Sequence, residues 1–155
     1  MDVNYDPQWG RNSTMDRLDR HPPSTTITPS CCAMYCGLSG IAKYLIITQA
    51  EDVNANRGMH TPLHLASQLG MMDVALVLLD LGADVDRRSY SNWTPLDFAS
   101  SNGHVRIAQL LLQRGASLNA QSSLVLPYIA SIRGRLEVVR VLLDHGADVS
   151  IKTGI

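Results

Sequence analysis

The sequence predicts an all-α solenoid in which short antiparallel helix pairs stack in a row, with protruding hairpin or loop fingers between them. Three observations support this prediction. A block of about 33 residues repeats along the chain, each block contains helix start and stop signals, and the second half of each block is apolar on several sides. A fixed period of this length is typical of repeat architectures, in which each unit contacts only its neighbours.

The repeat is clearest in the middle of the chain. Residues 61–66 read TPLHLA and recur as TPLDFA at residues 94–99, while Gly70 recurs as Gly103, and both shifts are 33 residues. A degenerate copy begins one period earlier with Thr28-Pro29, and a further copy follows with two residues fewer. The predicted units are residues 28–60, 61–93, 94–124 and 125–155.

The local signals in each unit predict two helices. Thr followed by Pro favours a helix start, because the Thr hydroxyl accepts from unpaired amides and Pro has no N–H to leave unpaired. Gly70 and Gly103 are expected to end the first helix. The second helix is apolar on several sides and must be covered on several sides, which stacking provides. Truncating Leu79 or Leu112 in these helices to Ala is expected to cost ~2–5 kcal/mol.

These features together resemble the ankyrin repeat. The shared features are a 33-residue unit that opens with Thr-Pro-Leu-His, a Gly between the two helices, and a closing Gly-Ala-Asp-Val that begins at Gly82. The resemblance covers residues 28–155 and implies that His64 links neighbouring units through hydrogen bonds. It also implies that residues such as Asp86 to Trp93 form a protruding finger. Asp97, Tyr128 and Cys31 replace this histidine in the other units, where we expect weaker links.

The ankyrin resemblance further implies a non-catalytic module, a scaffold or adaptor, that binds another protein. Partner contacts in the family come from finger tips and from the end of each first helix. Carried onto this sequence, the partner-binding positions are Arg57, Gly58, His60, Gln68, Leu69, Arg88, Tyr90, Ser91, Trp93, Ser101, Asn102, Ile132 and Arg133. The set holds large and cationic side chains and no carboxylate, so we expect a partner with an acidic segment that carries an apolar anchor.

Other functions remain open on the same surface. A small molecule or nucleic acid could bind there, or the chain could be the recognition part of a larger signalling protein. Thirteen Lys and Arg residues against 14 Asp and Glu residues argue against nucleic acid. No apolar run reaches the ~18 residues of a membrane span and none resembles a signal peptide, so we expect no membrane contact and a cytoplasmic location, with the nucleus as an alternative.

Candidate chemistry is weak in this sequence. Cys31, Cys32 and Cys36 lack the spacing of zinc ligands and are interpreted as reduced helix-core residues. His60 precedes the helix start at Pro62, which separates it from His64 and disfavours a metal face. The sequence contains no phosphate-binding loop, nucleophile elbow or other catalytic motif. We therefore predict no catalytic residue, no metal and no cofactor.

The two ends of the chain lead to separate expectations. Residues 1–27 are rich in Pro, Ser and Thr and are expected to be unstructured, although Tyr5, Trp9 and Leu18 leave room for a docking segment. The last unit has no polar closing sequence. Its second helix, with Leu136, Val139 and Leu142, is expected to leave an apolar end face that mediates self-association or packs on further repeats.

Overall fold

The computed structural model describes residues 28–55, 60–118 and 126–148, and these residues form stacked α-helices. The helices are α1 (Pro29–Tyr35), α2 (Ser39–Thr48), α3 (Pro62–Leu69), α4 (Met72–Asp80), α5 (Pro95–Asn102), α6 (Val105–Gln113), α7 (Leu126–Ile132) and α8 (Leu136–Asp144). They pack as four successive pairs, each against the next. The predicted all-α solenoid is confirmed. The expectation for residues 1–27 falls outside the described residues.

The first helices α1, α3 and α5 start at the predicted Thr-Pro signal, whereas α7 starts at Leu126 with Pro127 as its second residue. In α5 the Thr94 hydroxyl accepts from the Asp97 amide at 3.3 Å, and the Asp97 carboxylate accepts from the Thr94 amide at 2.7 Å. This reciprocal pair satisfies two amides that the helix itself cannot satisfy. In the degenerate first copy, Thr28 still accepts from the amide of Cys31 at 3.3 Å. The start signal therefore works even where the rest of the motif has been lost.

Glycine ends the first helices by adopting a left-handed conformation. Gly70 and Gly103 have φ angles of +77° and +81°. The next residue then donates back into the helix, as the His104 amide does to the Ala99 carbonyl at 2.9 Å. Residues with a Cβ are strained at such angles, so glycine permits the tight turn into the second helix.

The core runs through both helices of the successive pairs and includes Leu63 in α3 and Leu96 in α5. In each of the last three second helices, two large apolar side chains are at most 2% exposed. These residues are Val74 and Leu78 in α4, Ile107 and Leu111 in α6, and Val138 and Leu142 in α8. Leu79 and Leu112 are only partly buried, whereas their neighbours Leu78 and Leu111 are fully buried. The predicted cost of truncating Leu79 or Leu112 stays a prediction. One expectation was wrong. Leu142 is fully buried and does not belong to an exposed end face.

Polar side chains also join the loops that follow successive second helices. The Asn54 side chain donates to the Gly82 carbonyl at 3.2 Å and accepts from the Asp84 amide at 2.7 Å. One unit further, the Asp86 carboxylate accepts from the Ser117 amide at 2.9 Å. These bonds hold the base of each loop against the next and fix where the second finger begins.

Candidate functional site

The second finger is the loop between α4 and α5, and it is closed by a network of backbone bonds. The Ser89 amide donates to the Trp93 carbonyl at 2.8 Å, and the Asn92 amide donates to the Ser89 carbonyl at 2.9 Å. The Trp93 amide donates to the Ser89 hydroxyl at 3.1 Å. Asn92 has a φ of +64°, which asparagine tolerates better than most residues. The finger is therefore a defined turn.

The tip of this turn projects Tyr90 into solvent. Tyr90 is 84% exposed, and Ser91 beside it is also exposed. Arg88 donates to the Asn92 side chain at 2.8 Å, which places its guanidinium beside the turn. Arg87 is exposed as well. The predicted finger residues Arg88, Tyr90 and Ser91 are thus brought together on one loop.

Trp93 and His60, which were also predicted to contact a partner, pack at the base of the fingers. The ring centroids of Trp93 and Phe98 lie 5.1 Å apart. The ring centroids of His60 and Phe98 lie 5.0 Å apart in an edge-to-face arrangement. Both side chains are partly buried, and Phe98 belongs to α5. Their main visible role is to support the fingers on the helices.

His64 links this base to the preceding unit. Its Nδ1 accepts from the Thr61 amide at 3.1 Å, so its Nε2 carries the proton and donates to the Trp93 carbonyl at 3.0 Å. Burial lowers the pKa of His64 to about 4, which keeps the imidazole neutral near pH 7. The predicted hydrogen bond between units is therefore present.

The second predicted group lies at the ends of the first helices. Gln68 and Leu69 in α3 and Asn102 in α5 are partly buried, while Ile132 and Arg133 are exposed. Ser101 is only 3% exposed and offers almost no surface to a partner.

These helix ends are neighbours because side chains from the following pair lie across them. The His104 ring bonds the Gln68 carbonyl at 3.0 Å. A Cβ at Gly103 would lie only 2.7 Å from Cδ of Arg135, so this side chain crosses the end of α5 closely. The ends of α3 and α5 therefore form one row.

The finger group and the helix-end group lie at opposite ends of α5. At 1.5 Å per residue, the eight residues of this helix separate them by ~12 Å. Residues 62–67 and 95–101 are all buried, so α3 and α5 expose little between their ends. The accessible predicted side chains are therefore mainly those of the second finger and those at the end of α7, where Ile132 and Arg133 lie.

Two parts of the predicted set need separate comment. Arg57 and Gly58 lie outside the described residues. Tyr128, near the start of α7, was not included in the predicted set, yet it is 42% exposed. Tyr128 occupies the position equivalent to His64, which suggested a structural role. The sequence signal for its exposure was that a tyrosine replaces the hydrogen-bonding His64 or Asp97 of the other units.

The cysteine interpretation is only partly right. Cys31 is partly buried, and burial raises the pKa of its thiol above the usual value. Cys32 in α1 and Cys36, the residue after α1, are exposed rather than in the helix core. All three thiols are free.

The described residues contain no group of three or more side chains suited to hold a metal ion. Within the same residues, none of the helices has the length and apolar character that crossing a membrane requires.

Comparison with protein families agrees with this architecture. A family model described as ankyrin repeats (3 copies) matches residues 11–89, 30–122 and 89–153. None of the curated proteins compared with the chain matches it. The matches cover most of the chain. The chain belongs to the ankyrin-repeat family.

Proposed function

We propose that this chain is a non-catalytic scaffold or adaptor that binds a partner protein mainly through its second finger. Ankyrin repeats generally act as protein–protein interaction modules. The single observation that supports the finger most is Tyr90, which is 84% exposed at the tip of a hydrogen-bonded turn. Tyr and Arg are enriched among residues that dominate binding energy at protein interfaces.

The closed turn favours binding by reducing the entropy that association must lose. Ordering a loop on binding costs free energy, and a loop that is already ordered avoids this cost. The bonds among Ser89, Asn92 and Trp93 fix the finger backbone before any partner arrives. Tyrosine adds large contact area with few rotatable bonds. These features together make the finger a better candidate than the half-buried helix ends.

The charge around the finger favours an acidic partner segment with an apolar or aromatic anchor. Arg87 and Arg88 precede Tyr90, and Arg133 is exposed near the end of α7. Two carboxylates lie nearby: Asp86 accepts from the Ser117 amide, and Asp97 is buried and accepts from the Thr94 amide. The anchor would pack on Tyr90 while carboxylates approach the arginines, which aids encounter as well as specificity.

Small-molecule and nucleic-acid binding have less support. A cavity lined by Thr28, Cys31, Glu51, Asp52, Ala55, His60 and Pro62 has a volume of about 20 Å³. Pockets for drug-sized ligands span ~300–1,000 Å³, so this cavity suits a water molecule. The net charge of -1 provides no general attraction for nucleic acid.

Two further proposals concern context. We propose a cytoplasmic location, with the nucleus as the alternative, because three free cysteines suit a reducing compartment. Self-association through the last helix pair is a separate proposal, since it uses an end of the stack rather than the finger. Within a larger protein, the same finger would serve as the recognition element.

The finger proposal is tested by affinity capture with the purified chain and two variants. Tyr90→Ser removes the anchor, and Arg87→Glu reverses an exposed charge. We expect both to lose the same small set of proteins by quantitative mass spectrometry, and we expect added salt to weaken capture by the unmodified chain. Synthetic peptides from the captured proteins, ranked by acidic content, then measure the effect on Kd.

Matched controls are available on other elements. Tyr44→Ser alters a similarly exposed tyrosine in α2, and Arg106→Glu reverses an exposed arginine in α6. Both are expected to retain every partner. Unchanged capture by Tyr90→Ser and Arg87→Glu, with circular dichroism matching the unmodified chain, would contradict the proposal.

A further inference from the structure

The second finger carries a serine at its tip that follows two arginines. Residues 87–91 read RRSYS, so Arg88 precedes Ser91 by three positions and Arg87 precedes it by four. Ser/Thr kinases with acidic substrate-binding sites select hydroxyl groups by such charge patterns, because the arginines dock in those sites. The segment around Ser91 therefore has the charge pattern of a kinase substrate.

The structure distinguishes the three hydroxyl groups of this segment. Ser89 is only 6% exposed, and its hydroxyl accepts from the Trp93 amide at 3.1 Å, so an enzyme cannot reach it in the folded turn. Ser91 is exposed, and its hydroxyl oxygen lies 3.0 Å from that of Ser89. The phenolic hydroxyl of Tyr90 lies further from the backbone than a serine hydroxyl does. Ser91 is therefore the accessible aliphatic hydroxyl of the finger.

The location of Ser91 also allows the segment to enter an enzyme cleft. The finger is a loop between α4 and α5, outside the helices. Loops of this kind open locally at a lower free-energy cost than the helices that form the core. The segment can thus extend into an active site while the stack of helices stays folded.

One other serine among the described residues follows an arginine at the same spacing. Ser117 is exposed and lies three residues after Arg114. The Arg114 guanidinium, however, is paired with the Asp80 carboxylate at 2.9 Å, and the Ser117 amide donates to the Asp86 carboxylate at 2.9 Å. Carboxylates beside the arginine and beside the acceptor oppose an acidic kinase site. Ser117 is therefore an internal comparison for Ser91.

A phosphate on Ser91 would act on the arginines of the same finger. The Arg88 guanidinium donates to the Asn92 side chain at 2.8 Å, so it lies on the same turn as Ser91. A phosphoserine carries a charge of about -1.5 to -2 at neutral pH, and its oxygens form charge-assisted hydrogen bonds with guanidinium groups. The phosphate would therefore pair with Arg88 and cancel the positive charge that Arg87 and Arg88 present to a partner.

We propose that Ser91 is a phosphorylation site and that its phosphorylation switches the second finger off. A Ser/Thr kinase that selects basic segments transfers the γ-phosphoryl group of ATP to the Ser91 hydroxyl. The serine oxygen forms a bond to the γ-phosphorus, the bond from that phosphorus to the β,γ-bridging oxygen breaks, ADP leaves, and the hydroxyl proton passes to the kinase. The phosphate then repels the acidic partner segment. This consequence for binding rests on the proposed function, whereas the modification itself does not.

The modification is tested by incubating the purified full chain with ATP, Mg²⁺ and a Ser/Thr kinase that requires arginine three residues before its acceptor. Tandem mass spectrometry should place the phosphate on Ser91. Ser91→Ala, which removes only an exposed hydroxyl, should lose most of the incorporation, and the matched control Ser117→Ala should retain it. Arg88→Gln should slow incorporation by about tenfold, the effect of losing one charge-assisted hydrogen bond.

The effect on binding is measured with an acidic peptide from a captured partner. The phosphorylated chain should bind this peptide at least about tenfold more weakly than the unmodified chain, because like charges then face each other across the interface. Ser91→Ala treated with the same kinase should bind as tightly as before treatment. Circular dichroism of each sample checks that the fold is retained.

The outcomes separate this inference from the finger proposal. Phosphate on Ser117 or Tyr90 instead, or none while the kinase modifies its standard peptide, would overturn the assignment of Ser91. Unchanged peptide binding after modification of Ser91 would overturn the switch. If Tyr90→Ser and Arg87→Glu retain every partner, the finger proposal fails and the switch fails with it, whereas mass spectrometry still decides the modification of Ser91.

Discussion

His64 shows how one residue joins the local helix start to the stacking of units. It caps α3 through Nδ1 and reaches the next finger through Nε2, and the bond that Nδ1 accepts requires the neutral ring. Asp97 keeps the cap of α5 with a carboxylate in the equivalent position. The helix start thus accepts either side chain, whereas the imidazole at position 64 makes stability depend on pH.

The first prediction concerns this pH dependence. The pKa of His64 is about 4 in the folded chain against 6.5 in the unfolded chain, so below pH 6.5 the unfolded state binds more protons. The free energy of unfolding should therefore fall as the pH is lowered from 6.5 towards 4, by up to about 3 kcal/mol in total. Urea unfolding at several pH values measures this loss.

Two histidine variants test the assignment. His64→Asn should flatten the pH dependence between 6.5 and 4, whatever its stability at pH 7. His145→Asn, which alters an exposed histidine after α8, should keep the dependence of the unmodified chain. A slope in His64→Asn equal to that of the unmodified chain would show that other groups cause the loss.

At the scale of single helices, the sequence predicts where a helix begins and ends better than it predicts which side chains of that helix are buried. Thr-Pro and Gly mark the bounds of α3 and α5 because cap and turn geometry are local. The second helices contain adjacent leucines, and one residue rotates a side chain by only about 100°, so local sequence does not decide which leucine enters the core. Packing by the neighbouring pairs decides it, so Leu78 and Leu111 are fully buried while Leu79 and Leu112 are only partly buried.

The adjacent leucines of α6 give the second prediction. Leu111→Ala should lower the free energy of unfolding by ~2–5 kcal/mol, because a fully buried side chain leaves a cavity. Leu112→Ala should cost clearly less, since Leu112 is partly exposed to begin with. Chemical denaturation of both variants measures the difference. Equal losses would contradict the orientation described for α6.

The candidate site was predictable only in part, for a related reason. Family resemblance located the finger, and its polar residues indicated a turn, so Tyr90 and Arg88 were correctly expected on one loop. Whether Trp93 points outward or packs on Phe98 depends on a contact with the following helix. The burial of Ser101 depends on the next pair. Neither contact is encoded within the finger or the helix alone.

At the scale of the whole molecule, stability should vary along the stack. Each of the two middle pairs contacts a described neighbouring pair on both sides. The first and last pairs each contact one described neighbouring pair. In a linear array, stability is the sum of each unit and its interfaces, so units with one interface open more readily.

The third prediction follows from this asymmetry. In hydrogen exchange at low protein concentration, amides of α4 and α6 should be more protected than those of α2 and α8. Raising the protein concentration should increase protection selectively in α8 if the last helix pair self-associates. Uniform protection of all four helices at low concentration would show that the array opens only as a whole.

Tyr90 is 84% exposed at the tip of the turn, and the turn is maintained by Ser89, Asn92 and Trp93. The fold therefore does not depend on the side chain at position 90. Under the finger proposal, single substitutions there would change the bound partner without unfolding the chain. Evolution of a new specificity would then need no compensating change elsewhere in the stack.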